Sequence, residues 1–366
     1  MRQKPENPTQ NGRGPKILAA KRHFSALLAL LLCFLCCPVF AEEGPAEDEG
    51  FGMSEGGSFA SMGAVDGLPL LTEDSFASDD LPDGYLDPSS HPGRVEKLRY
   101  TTSDENKEVK SVMVYLPVGY DDTDGEYNVL YLLHAASGSP KNYLNPDKAT
   151  DVQCLLDHMI ENEELEPLIV VAASYYPTEG FTKFLPLAMQ VQVTASFPRE
   201  LVEDILPAVE KKYRVYTGPD GAFDVRAVRE HRAIAGFSLG GVTTWYVFLQ
   251  QMQAFKWFLP ISEASWDDGE GGTSGIWDSD VSAQVLYDAV KEQGFGKNDF
   301  RLYVATGTED EAFDVSTNQM ISLLEYADMF KPGENTSCSM MLGGTHTLQA
   351  LYTYLYHILP SLFANP

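Results

Sequence analysis

Gly236-Phe237-Ser238-Leu239-Gly240 is the stretch of this sequence whose residue types and spacing best suit covalent chemistry. The Gly-x-Ser-x-Gly pattern sets a hydroxyl between two residues that have no side chain. An apolar run, AIAGF, leads into the serine, and a second apolar run, Gly240 to Gln250, leaves it. These flanks predict a strand, a sharp turn and a helix. Ser238 then sits on the turn in a strained backbone conformation, its hydroxyl raised above a sheet. A Gly-rich helix start that only packs, or that binds a phosphate on its first amides, is the competing reading. The apolar strand ahead of it favours the elbow.

A serine hydroxyl is a weak nucleophile until a base takes its proton, and near neutral pH that base is usually histidine. Of the seven histidines, His23 and His91 precede the part that reads as folded, and His158 and His357 fall inside helical patterns. His231 opens the nucleophile strand at the wrong edge of the sheet, and His134, at the end of an early strand, reads as structural. His346 remains, in the loop Gly343-Gly344-Thr345-His346 between the last strand and the terminal helix. In the chain order Ser, acid, His, that is where the base belongs. The acid should follow the preceding strand, in Thr306-Gly307-Thr308-Glu309-Asp310-Glu311. Local reasoning leaves Glu309 and Asp310 as close competitors to orient the imidazole. For the oxyanion, the N–H of Leu239 is one donor, and the amides of Ala135 or Ala136 are candidates for the second. Tyr175 and Tyr176, after the strand LIVVAAS, can also line the site.

The elements that must position these residues alternate. YNVLYLL (127–133) and LIVVAA (168–173) are continuous apolar runs, as in strands covered on both faces. Residues 95–102 and 109–116 alternate as edge strands do, and strands are expected at 232–235, 257–261, 300–305 and 337–342. Helical spacing falls at 152–160, 197–213, 240–250, 281–293, 317–330 and 348–359. Such alternation predicts an α/β fold with a mostly parallel central sheet, helices on both faces, and chemistry on loops beyond the strand ends.

Ahead of this lie two segments of another kind. Basic residues from Arg2 to Arg22 precede an apolar run, Phe24 to Phe40, that ends in Pro38-Val39-Phe40-Ala41. This reads as a secretory signal, residues 1–41, cleaved near Ala41, and predicts an extracellular protein. Residues 42–92 contain no Lys or Arg and are rich in Glu, Asp, Gly and Ser, which predicts a flexible acidic tether before a catalytic domain over 93–366. The whole sequence has a formal net charge of −27. That charge disfavours nucleic acid and anionic membranes as partners. Cys154 and Cys338 sit in no Cys/His cluster, and neither a metal nor an organic cofactor is expected. They read as two buried thiols, with one disulfide as the alternative.

Together, YNVLYLLHAASG, AIAGFSLGGVTTWYVF, YVATGTEDEAF and GGTHTLQALYTYLYHILP resemble the esterase D-like group of α/β-hydrolases, most closely the feruloyl and acetyl-xylan esterases of carbohydrate esterase family one. The likeness spans about residues 94–364. It implies a Ser238–His346–Asp310 triad, which breaks the tie with Glu309, and places Trp266 near the acyl pocket. The implied activity is hydrolysis of feruloyl or acetyl esters on plant polysaccharide through an acyl-enzyme. Acyl transfer, siderophore ester hydrolysis and a non-catalytic surface-binding role are the alternatives. One departure stands out: the family has His-Gly-x-Gly-Gly where this chain has His134-Ala135-Ala136-Ser137-Gly138. If that loop needs positive φ at the positions of the alanines, its donors are displaced.

Overall fold

The computed structural model describes residues 75–218, 221 and 223–364. All of them fall in the second of the two units into which the chain divides, Gly56–Pro366. The signal segment lies outside the described residues.

Among the described residues, nine strands form one sheet: β1 (Phe76–Ala77), β2 (Arg94–Thr101), β3 (Val109–Leu116), β4 (Val129–Leu133), β5 (Ile169–Ala173), β6 (Arg232–Phe237), β7 (Trp257–Ile261), β8 (Arg301–Gly307) and β9 (Thr336–Leu342). Their order across the sheet is β1-β9-β8-β7-β6-β4-β5-β3-β2. Only β3 runs antiparallel to its neighbours β2 and β5; every other pairing is parallel. The central strands are buried along their whole length because β-branched and other apolar side chains leave both faces in alternation. Val129, Tyr131 and Leu133 of β4 join one apolar cluster, while Leu130 and Leu132 join the other.

Helices cover the two faces: α1 (Asp151–Glu161), α2 (Leu187–Glu200), α3 (Leu206–Lys212), α4 (Leu239–Gln251), α5 (Ser279–Glu292), α6 (Phe313–Leu324) and α7 (Leu348–Ile358). Helix α4 is buried from Leu239 to Phe248, so the elbow is rooted in the core. The expected helix at 197–213 is longer and less regular than its pattern. It begins at Leu187 and passes from α2 to α3 through a wide π-type turn, Leu201–Ile205. Pro207 can neither donate to the carbonyl of Glu203 nor fit its ring against it, so the ladder there widens. The helix expected at 317–330 lies earlier, at Phe313–Leu324.

The tether does not run to residue 92. Phe76 and Ala77 pair in parallel with Met341 and Leu342, extending the sheet beside the loop that carries His346. Phe76 is buried and stacks on His357, ring centroids 4.0 Å apart. Tyr85 donates to Glu164 Oε2 (2.8 Å), and His158 Nε2 donates to the carbonyl of Asp87 (3.0 Å). Four aromatic or aliphatic anchors (Phe76, Leu81, Tyr85 and Leu86) are enough to bring this acidic segment onto the domain. Cys154 on α1 and Cys338 on β9 are both buried, and no disulfide joins them.

Candidate active site

Ser238 stands between β6 and α4 at φ 57° and ψ −123°. Conformations of this kind cost on the order of 1–3 kcal/mol and persist only where the surroundings enforce them. Here the Ser238 N–H donates to the carbonyl of Ile261, and the Val242 N–H donates to the Ser238 carbonyl, each at 3.0 Å. The turn also requires glycines. A Cβ on Gly236 would run into the carbonyl of Gly240, and one on Gly240 into the carbonyl of Leu133. Strand, helix and the loop after β4 therefore meet with no room for a side chain.

That contact sets the start of α4 against the loop His134–Gly138. Leu239 is the first residue of α4, where N–H groups have no acceptor within the helix. In the loop the positive φ falls on Ser137 (60°), and neither Ala135 nor Ala136 adopts one. The alanines are therefore accommodated without left-handed strain. His134 beneath them is buried, its Nδ1–H donating to the Ala135 carbonyl (2.8 Å) and its Nε2 accepting from the Ser174 hydroxyl (2.9 Å). Burial pushes its pKa down to about 4, so the ring stays neutral and acts as a brace.

Tyr175 and Tyr176, expected to line the site, are buried supports of this loop. The Tyr175 hydroxyl donates to the His134 carbonyl (3.0 Å), and the Tyr176 hydroxyl accepts the Ser137 N–H (2.9 Å). Tyr176→Phe should leave that amide without its acceptor. We expect a loss of about 1 kcal/mol in urea unfolding, with an unchanged slope, and a lower kcat.

Asp310 and His346 are brought together by the paired ends of β8 and β9. The Thr308 N–H donates to Met341 O (3.0 Å), the Glu309 N–H to Gly344 O (2.9 Å), and the Gly343 N–H to Thr308 Oγ1 (2.9 Å). Across this zipper His346 Nδ1 donates to Asp310 Oδ1 at 2.8 Å. The same oxygen accepts the Ala312 N–H (2.8 Å), and the carboxylate is fully shielded from solvent. Glu309 and Glu311 are both exposed. Burial works against a charged imidazole, but the bond to Asp310 and the charges of Asp310, Glu311 and Glu263 outweigh it, so the pKa of His346 is raised. The ring packs on Phe237, the residue before Ser238, with centroids 4.7 Å apart. The serine hydroxyl and the imidazole are not hydrogen-bonded to each other among the described contacts; in unliganded hydrolases this bond is often long. Asp310, Glu311 and His346 offer ligand atoms within 4.8 Å of one another, and the bond between Asp310 and His346 uses one atom of each.

Trp266 is buried, with its indole N–H donating to Glu263 Oε1 at 3.3 Å. Glu263 itself is absent from the sequence-based site. Its signal was an acid two residues beyond the apolar strand β7, in SEASW.

The sheet, its helices and the turn that carries Ser238 are those of the α/β-hydrolase-like esterases, whose fold the chain has. Residues 103–338 match the Esterase family, to which the chain belongs. It is 30% identical over 287 residues to endo-1,4-beta-xylanase Y of Acetivibrio thermocellus, covering 77% of this chain and 24% of that protein. The chain thus spans about a quarter of the length of the curated relatives it matches. Among solved structures, it is similar to a serine-to-alanine mutant of the feruloyl esterase module from Clostridium thermocellum, complexed with sinapinate. That likeness has a TM-score of 0.66 and 29% identity, over 80% of this chain and 95% of that one. The fold is shared with a CE1 ferulic acid esterase from Anaeromyces mucronatus (TM-score 0.59, 20% identity, 77% and 96% covered).

Proposed function

We propose that this chain is an exported esterase that releases feruloyl or acetyl groups from plant polysaccharide, with Ser238 as nucleophile, His346 as base and Asp310 orienting the ring. The observation that carries the reading is the 2.8 Å bond from His346 to the shielded Asp310, beside a serine held in a strained turn. With Nδ1–H committed to Asp310, Nε2 is the nitrogen left to accept a proton. His346 takes the Ser238 proton as the oxygen attacks the ester carbonyl. The amides of Leu239 and Ala135 or Ala136 receive the charge that develops on the carbonyl oxygen. The alcohol departs with the proton from His346, and water, deprotonated by the same ring, releases the acid and restores the serine.

The acyl group is argued from two sides. A feruloyl esterase module similar to this chain holds sinapinate, an aromatic acid. Trp266 beside the site supplies an aromatic surface of the kind such an acid would use. Export rests on the leader at residues 1–41; no helix among the described residues is long and apolar enough to cross a membrane. The test compares methyl ferulate, acetylated xylan and a siderophore triester. We expect kcat/KM on one of the first two to exceed that on the triester by at least about tenfold, about 1.4 kcal/mol. Preference for the triester would remove the polysaccharide from the reading.

A further inference from the structure

Glu263 is an acidic side chain within the site that the mechanism above does not use. Strand β7 ends at Ile261, whose carbonyl takes the Ser238 N–H. Ser262, at φ 54°, then turns the chain over the rim, its N–H donating to Ala305 of β8 at 2.8 Å. Glu263 therefore emerges between the strand that delivers the nucleophile and the strand that delivers Asp310. Its main-chain carbonyl accepts the indole N–H of Trp245, on the helix that follows Ser238, at 3.2 Å. Its Oε1 accepts two N–H groups, from Ala264 at 3.1 Å and from the Trp266 indole at 3.3 Å. These two bonds hold the carboxyl by its Oε1.

We propose that Glu263 is a positioning residue of this active site, fixing the Trp266 indole beside the acyl group and giving His346 a second facing carboxyl in addition to Asp310. The inference rests on the esterase reading above. The charged groups that bias Glu263 are His346, from the loop after β9, and Asp310, from the loop after β8. Burial pushes its carboxyl up to about 7; the Ala264 amide, His346 and the Trp266 indole pull it down, and Asp310 raises it further. His346 in turn faces Asp310 and Glu311 from the loop after β8 and Glu263 from the end of β7. The charged forms of the two groups therefore favour each other: the His346 charge pulls the Glu263 carboxyl down, and the Glu263 charge pushes the imidazole up. Ionised Glu263 favours the imidazolium, which cannot act as a base. The acid limb of kcat/KM consequently sits higher in pH with Glu263 present than without its charge.

Two substitutions separate the roles. Glu263→Gln keeps an oxygen for the indole and removes the charge, and Glu263→Leu removes both. On a small aryl acetate, the acid limb of kcat/KM should move down by about 0.5 pH unit or more in Glu263→Gln. In Glu263→Leu the limb should move likewise, and KM for methyl ferulate should rise by at least about fivefold relative to the change in KM for the acetate. A limb that stays in place in Glu263→Gln, which needs no repacking, overturns the inference, as does an unchanged ferulate preference in Glu263→Leu. If Ser238→Ala still abolishes turnover in those experiments, the esterase reading survives that failure. Turnover that outlasts Ser238→Ala overturns the reading itself.

Discussion

Ser238→Ala should lower turnover of a small aryl acetate by about 10⁴-fold or more while leaving the fold intact. The stability half of this expectation follows from the elbow. The Ser238 side chain caps no helix amide, so truncation strands no buried partner. Alanine at φ 57° and ψ −123° is no more strained than serine, and the main-chain bonds to Ile261 and Val242 do not involve the side chain. Unfolding free energy should therefore change by no more than about 0.5 kcal/mol. The activity half follows because the remaining parts, an imidazole, a carboxylate and main-chain amides, lack the hydroxyl oxygen that carries the acyl group in the proposed mechanism. A fluorophosphonate should label the native chain at Ser238 and leave the variant unlabelled. Labelling at another residue, or a variant that retains turnover, would move the nucleophile elsewhere.

The sheet was legible in the sequence because its central strands are buried on both faces, and continuous runs such as YNVLYLL and LIVVAA have few other uses. The elbow was legible for a related reason: two glycines are required where strand, helix and loop touch, and the chain marks them at Gly236 and Gly240. Less was visible where tertiary contacts override composition. Residues 76–91 read as acidic tether, yet Phe76 and Tyr85 anchor them to the domain through a ring stack and a hydrogen bond. The first turns of α2, LAMQVQVTAS, carry alternating valines that look more like a strand than a helix. The tie between Glu309 and Asp310 could not be broken locally, since adjacent carboxylates on a turn differ only in the direction they leave the chain. In the structure one is exposed and the other is shielded against His346. Glu263 escaped notice because its one mark in the sequence, an acid two residues beyond a strand, does not show that the side chain will be tied to a tryptophan three residues on.

That difference between neighbouring acids makes the second large prediction. Asp310→Asn should reduce kcat/KM by about 10³- to 10⁴-fold, and Glu309→Gln by no more than about twofold. An asparagine amide can donate to Nδ1, which favours the tautomer with the proton on Nε2, where it cannot serve as a base. The same substitution removes the first of the attractions that raise the His346 pKa against burial. What activity remains should therefore lose its acid limb at lower pH than the native enzyme does. Stability follows with a defined sign. A histidine whose folded pKa is raised stabilises the fold fully below its unfolded value, near 6.5, and that contribution is lost as pH rises through the folded value. Asp310→Asn should therefore lose more stability relative to the native chain at pH 5.5 than at pH 8.5, read as urea midpoints at the two values. Equal losses at both, together with a large effect of Glu309→Gln on turnover, would assign the orienting carboxylate to the wrong side of the turn. The shielded bond between Asp310 and His346 would then be a structural pair that happens to lie near the serine.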